Sequence, residues 1–194
     1  MADGYPPDDG RRHEPLPEPH PDWPVIESVP EYETGWFVGG YDLVEQPDGT
    51  EKRYYWAELP TAVVVTAITD GHVLFVEQYR PTIRHEQLEL PAGVVEADET
   101  FTDAARRELR EETGFRADSL SVLEDVWVAT GLLRHKRAYV FAEGLEPAEQ
   151  ELDASEFLTP RAIPVEEAMS TVRSRPSNDA TLQGLSLADE EGLL

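Results

Sequence analysis

Between Gly93 and Phe115 the chain reads GVVEADETFTDAARRELREETGF, which gathers Glu108, Glu111 and Glu112 into a single five-residue stretch behind Glu99 and Arg107. Carboxylates at that density are hard oxygen donors of the kind Mg2+ and Mn2+ take as ligands. Whether they act together depends on the backbone that carries them. From Glu99 to Thr113 there is neither Gly nor Pro, Ala, Leu, Glu and Arg dominate, and Gly114 supplies a C-terminal stop. The spacing therefore predicts one helix of about four turns. At about 100° per residue, Phe101, Ala104, Ala105 and Leu109 share an apolar face, while Asp103, Arg106, Arg107 and Arg110 cluster opposite it. Glu108 and Glu112 fall in the middle of the apolar stripe, one turn apart. A run of acids more often marks a solvated face, but carboxylates taken out of water are paired or coordinate metal. By these angles Arg107 points the wrong way to neutralise both, so the pattern predicts a divalent-cation site on Glu108, Glu111 and Glu112.

The stretch has the form G-x5-E-x7-R-E-Φ-x-E-E-x-G-Φ, with Φ apolar, and every position is filled. In this it resembles the Nudix hydrolases, whose box it matches throughout. The resemblance implies hydrolysis of a nucleoside diphosphate linked to another moiety, by water attacking phosphorus with Mg2+ (or Mn2+) on the box glutamates. It also implies that Glu108, Glu111 and Glu112 are both metal ligands and catalytic residues, that the Ala92 carbonyl is a further ligand, and that Glu99 and Arg107 tie the loop to the helix. Bound cations offset the charge of a diphosphate, which lets an acidic protein handle an anionic substrate. Upstream VEQYRP (Val76 to Pro81) and LELPAG (Leu88 to Gly93), with NDATL (Asn178 to Leu182) downstream, are similar to the ADP-ribose pyrophosphatase branch over roughly residues 27 to 188. That branch implies ADP-ribose or a related nucleotide sugar as substrate, cleaved to AMP and a sugar phosphate. The alternatives are another diphosphate, such as a modified nucleoside triphosphate or a dinucleoside polyphosphate, and a non-catalytic nucleotide-sensing domain. An intact set of box glutamates and the lack of a basic helix-turn-helix extension argue against the sensor.

One loop departs from the branch. Where Pro-Gly and then a glutamate are expected, the chain has Ala129-Thr130-Gly131-Leu132-Leu133-Arg134-His135-Lys136-Arg137, with His135 near the glutamate's place. His135 is a candidate general base, since its ordinary pKa lies near neutrality, or a phosphate contact. Arg134 beside it is a candidate for the leaving-group phosphate. Arg53 and Arg80 are candidates for the diphosphate oxygens. Trp36 leads an aromatic-rich hairpin with Phe37, Tyr41, Tyr54, Tyr55 and Trp56 that reads either as core or subunit interface, implying a homodimer, or as a stacking surface for the base.

The elements that must position these residues can be placed from pattern. Trp36 to Val44 and Arg53 to Leu59 are β-rich runs around the turn sequence Pro47-Asp48-Gly49-Thr50, an antiparallel hairpin. Ala62 to Ile68 and Val73 to Tyr79 form a second hairpin through Asp70-Gly71. Leu120 to Val128 and Arg137 to Ala142 continue the sheet; Val165 to Arg173 and Asp179 to Glu190 read as helices. The fold class is α+β, and the resemblance implies the Nudix fold, a mixed sheet sandwiched between helices. Residues 1–24 hold seven of the sixteen prolines among charged residues and read as a disordered acidic tail ahead of a domain at residues 25–194.

Composition sets the bounds. A formal net charge of -24 repels phosphate backbones and anionic membranes, so nucleic-acid and membrane partners are not expected, whereas a small metal-bound nucleotide is. Lys52 and Lys136 are the only lysines, and an acidic, lysine-poor chain points to a salt-rich, halophilic cytoplasm. There is no cysteine, which excludes disulfides, thiolate metal sites and cysteine nucleophiles. The start does not read as a signal peptide, and the longest apolar run, Ala62 to Ile68, is too short to span a membrane, so a cytoplasmic location is expected.

Overall fold

Asp70 and Gly71 both adopt left-handed backbone, at φ 47 and 73, which is what a two-residue hairpin turn that follows the strand twist requires. They join β4 (Ala62–Thr69) to β5 (His72–Arg80) in antiparallel register, Thr69 opposite His72. This hairpin is the centre of the larger sheet in the computed structural model, which describes residues 15–194. The described residues fall into two compact units, Ala62–Asp125 with Ala138–Leu194, and residues 15–61 with Val126–Arg137.

In the first unit the strand order is β11 (Leu158–Pro164), β5, β4, β10 (Lys136–Pro147), β8 (Phe115–Trp127). The short strands β6 (His85–Glu89) and β7 (Ala92–Val94) add to β5 and β4, both antiparallel. Alternation on β4 assigns its two faces. Val63, Val65 and Ala67 join Phe101, Ala104, Ala105 and Leu109 of α1 (Phe101–Thr113) in one buried cluster. Thr66 on the other face lies under Gly184 of α3 (Asp179–Glu190), where an added Cβ would meet Leu90 at 2.6 Å. Helices thus cover both faces of the sheet, the expected α+β sandwich, with α2 (Val165–Arg173) following β11. The expected bounds of α2 and α3 are those observed.

The second unit is a four-stranded sheet in the order β1 (Val25–Glu33), β2 (Val38–Glu45), β3 (Glu51–Glu58), β9 (Leu133–Arg134). The expected N-terminal hairpin is β2–β3, antiparallel from Val38 opposite Glu58 to Glu45 opposite Glu51; its turn is closed by Gly49 at φ 80 and by the Asp48 carboxylate, which accepts from the Thr50 N–H and hydroxyl. β9 runs parallel to β3, so the sheet is mixed. The aromatics of this sheet are not its core: Trp36 is 64% and Tyr55 57% exposed. Residues 1–14 of the expected tail lie outside the described residues. Residues 15–24 contain no helix or strand, and Trp23 sets its ring edge-on to Tyr54 with centroids 6.2 Å apart.

Candidate active site

α1 begins on a reciprocal cap. The Thr100 hydroxyl accepts from the Asp103 N–H while the Asp103 carboxylate accepts from the Thr100 N–H, and Gly114 in left-handed conformation ends the helix. With both ends fixed, the inward face is fixed as well. It buries Glu108 and Glu112 among the apolar residues, with 8% and 4% of their surface left accessible. The price of that burial is visible in their protonation: burial pushes the Glu108 carboxyl up, and pushes Glu112 up to about 8 against the hydrogen bond its carboxylate accepts from the Ala92 N–H at 3.0 Å. Gly93 faces the same pair. A Cβ there would stand 2.0 Å from the Glu108 carboxyl carbon, so only glycine lets β7 lie over that carboxylate.

Arg107 reaches further than helical angles suggest. Its guanidinium donates to Glu99 at 2.8 Å through Nε and again through Nη2, to the Val94 carbonyl at 2.9 Å, to Glu108 at 2.6 Å and to Glu111 at 3.3 Å. The expectation that Arg107 cannot neutralise both buried glutamates is met, since of the two it pairs with Glu108; it reaches that one because the helical angle describes the Cα and the long side chain carries the charge around the helix. Glu99 also accepts from the Glu96 N–H at 3.0 Å, so Glu99 and Arg107 do tie the loop after β7 to α1. Hydrogen bonding to Glu99 raises the Arg107 pKa, keeping it a permanent cation. Glu111 is half-buried and also accepts from Arg110 at 3.0 Å.

The donor set has the chemistry of a hard divalent-cation site: three carboxylates, two of them buried, beside the strand that holds Ala92. Among the described residues no three such groups already converge as a coordination cluster; Glu108 and Glu111 each engage Arg107, and Glu112 engages the Ala92 N–H. The residues fit the ion in type and burial.

Two further carboxylates of this unit interact with the charged groups around these glutamates. Glu89, 4% exposed, accepts from Arg80 and from Gln78 at 3.1 Å. Glu156, in the segment before β11, bears electrostatically on Glu108, Glu112 and Arg80. The LEL triplet carried a signal for Glu89, an acid between two leucines on a strand; nothing local in Ala154-Ser155-Glu156-Phe157 distinguishes Glu156.

The other candidates lie in the second unit. Arg53 stacks over Tyr41 at 4.7 Å and Arg134 over Trp56 at 4.0 Å. Arg134 also pairs with Asp42, which accepts from Ser28 and Trp56 as well. His135 is buried, with Nδ1 2.8 Å from the Pro60 carbonyl; a carbonyl can only accept, so Nδ1 carries the proton. Ala129, at φ 46, opens the loop before them, and its carbonyl accepts from the Leu132 and Leu133 N–H groups. The basic run is thus engaged within its own sheet, and Trp36 stays exposed.

Known proteins are similar to this chain in sequence and fold. The chain is 34% identical over 140 residues to an ADP-ribose pyrophosphatase of Bacillus subtilis (strain 168), covering 71% of this chain and 76% of that one. It is 30% identical over 132 residues to the ADP compounds hydrolase NudE of Escherichia coli (strain K12), covering 66% and 71%. A crystal structure of an ADP compounds hydrolase superposes with a TM-score of 0.80 at 23% identity, covering 89% of this chain and 97% of that chain, which confirms the fold. The NUDIX domain model matches residues 58–183, a span that contains the capped helix, its buried glutamates and the glycine strand above them, and the chain belongs to that family.

Proposed function

We propose that the chain is a divalent-cation-dependent pyrophosphohydrolase whose substrate is ADP-ribose or a related nucleotide sugar, cleaved to AMP and a sugar phosphate. The observation that carries this is the pair Glu108 and Glu112, buried one helical turn apart under Gly93, in a chain similar over most of its length to an ADP-ribose pyrophosphatase. Burying two carboxylates on an apolar helix face is costly unless a cation compensates them. Glu108, Glu111, Glu112 and the Ala92 carbonyl would hold it, with Mg2+ the expected ion and Mn2+ an alternative. Such an ion screens the diphosphate's charge and makes water a better nucleophile at neutral pH. Arg107 anchors α1 to the loop after β7 and stays charged, so the glutamates are held in register with Gly93. Arg80 supplies a cation for a phosphate oxygen. In the second unit Arg53, Arg134, His135 and Trp36 are the candidates for substrate contact. The Pro60 carbonyl accepts from His135 Nδ1, so a role for His135 runs through Nε2, as a base that takes up a proton or, once protonated, as a donor to a phosphate oxygen.

The exposed Trp36 and Tyr55 support a homodimer that covers the four-stranded sheet. A nucleotide substrate supports a cytoplasmic setting; no helix among the described residues is long and apolar enough to cross a membrane. Residues 1–24 are read as a tail that leaves the chemistry to residues 25–194.

A panel of ADP-ribose, ADP-sugars, dinucleoside polyphosphates and modified nucleoside triphosphates, assayed with and without Mg2+, tests the substrate. Preference for a triphosphate or a dinucleoside polyphosphate would overturn the ADP-ribose reading. Glu112→Gln tests the cation site. It keeps the shape and an oxygen for the Ala92 N–H but removes the charge, so turnover should fall by at least about 100-fold with the fold retained. Near-parental activity would refute the assignment.

A further inference from the structure

Glu89 is a buried carboxylate that the cation site does not use. It ends β6 opposite Val76, while Arg80 ends β5 opposite His85, so the arginine side chain must lie back along the strand to meet it. It does so with two nitrogens: Nε lies 3.1 Å from both carboxylate oxygens and Nη2 lies 2.5 Å from Oε2. Gln78 donates to Oε2 from the side at 3.1 Å. The pair is asymmetric in exposure, with the Glu89 side chain at 6% and the Arg80 side chain at 46%. A carboxylate withdrawn from water and gripping an arginine on two nitrogens fixes the plane of the guanidinium. Nη1 has no protein acceptor among the described residues, and the Arg80 charge bears on Glu112.

A salt bridge that served only to join β5 to β6 would gain little from this arrangement. The strands are already paired through five register positions, and a buried ion pair is a weak source of stability next to an apolar pair of the same volume. What the arrangement does provide is a cation of fixed orientation near the box glutamates. We propose that Glu89 is a positioning residue, holding Arg80 so that its Nη1 edge receives a non-bridging oxygen of the substrate diphosphate. The role rests on the diphosphate hydrolase reading above. Its chemistry is uniform binding: Glu89 touches no substrate atom, and Arg80 contacts a phosphate group before and during reaction.

The test is a double-mutant cycle with ADP-ribose and Mg2+, comparing the parental protein, Glu89→Gln, Arg80→Ala and the double variant. In Glu89→Gln one acceptor oxygen becomes a donor amide facing the guanidinium, and the bidentate grip is lost. KM should rise by about 10- to 100-fold, the worth of one charge-assisted hydrogen bond, with kcat nearly preserved. Arg80→Ala should raise KM at least as much. The double variant should be no worse than Arg80→Ala alone, because Glu89 acts only through the arginine. Glu89→Asp, which keeps the charge on a shorter arm, should fall between parental and Glu89→Gln, and it carries the cycle if Glu89→Gln does not fold. Unchanged KM in the Glu89 variants, or losses that multiply in the double variant, would overturn the positioning role while leaving the hydrolase reading intact. A parental protein inactive on ADP-ribose would overturn both.

Discussion

Gly93 and Glu108 show how tightly single residues are matched at the site. The carboxylate occupies the space a side chain on residue 93 would need, with the added Cβ only 2.0 Å from the Glu108 carboxyl carbon and 2.0 Å from its Oε1. Neither group can move away cheaply, since Gly93 is paired to Val63 on β4 and Glu108 is held by Arg107. Gly93→Ala should therefore push Glu108 out of place, cutting turnover by about 10- to 1,000-fold, the range of lost electrostatic stabilisation or misplaced catalytic groups. Overpacking also costs about 1 to 3 kcal/mol of stability. Steady-state kinetics and urea unfolding on the same preparation check this, and an alanine variant with parental turnover would show that Glu108 tolerates displacement. The burial of Glu108 and Glu112 was legible in the sequence, because a 3.6-residue period fixes which positions share a face. The reach of Arg107 was not, because a helical wheel places Cα atoms and says nothing of where a long side chain ends. Glu156 was illegible for a different reason: its electrostatic influence on Glu108 and Glu112 arises where the chain returns between β10 and β11, and no local pattern encodes it.

Among the elements, the hairpins and helices with strong local signals were readable and the proline-bearing strands were not. Asp70-Gly71 specifies its turn, and Asn178, which accepts from the Thr181 N–H at 2.7 Å, specifies the start of α3. β1 carries Pro30 and is exposed at nearly every position, so it shows no inward and outward alternation to read. β11 carries Pro160 and Pro164 and would be rejected as a strand on composition, yet it pairs with β5 over seven residues. Part of its attachment is ionic. Glu77 on β5 accepts from Arg161 of β11 at 2.8 Å and from Arg175, just past α2, at 2.9 Å. The two arginines, Arg175 foremost, hold the Glu77 carboxyl below its ordinary value of 4.5. The sign follows from which state takes up protons first. Above 4.5 Glu77 is ionised in both folded and unfolded chains and its contribution is complete; as pH falls, the unfolded chain protonates first and the contribution drains away until the folded carboxyl protonates too. The arginines are 49% and 36% exposed and Glu77 25%, so solvent screens the pairs and the contribution is a few tenths to about 1 kcal/mol. Glu77→Gln should be less stable than parental by that amount at pH 7, and the gap should close as pH drops below 4.5. Urea unfolding of both proteins across that range measures it, and a gap independent of pH would mean that packing of the side chain, not its charge, joins these elements.

For the whole molecule the dominant electrostatic fact is imbalance: 40 acidic against 16 basic side chains. Salt acts on this in two opposed ways. It weakens the surface ion pairs, such as Arg110 with Glu151 and Arg116 with Glu146, which solvent already screens. It also screens the mutual repulsion of the excess acids, whose formal sum is -24. The screening length falls from about 10 Å at 0.1 M to about 3 Å at 1 M, shorter than most separations between surface carboxylates but comparable to a hydrogen-bonded contact. Repulsion, being long-range, is therefore removed more completely than the short pairs, and the unpaired excess outweighs the few pairs. We propose on this ground that the chain is adapted to a salt-rich interior, with arginine retained for its bidentate contacts and lysine nearly absent. Stability should rise between 0.1 M and molar KCl, by about 2 to 4 °C in Tm for each kcal/mol of repulsion relieved. Added sucrose, which strengthens burial without screening charge, separates the two causes. A Tm that is flat or falls in KCl would reject salt adaptation, and an equal rise in sucrose and KCl would assign the gain to solvent exclusion instead of charge.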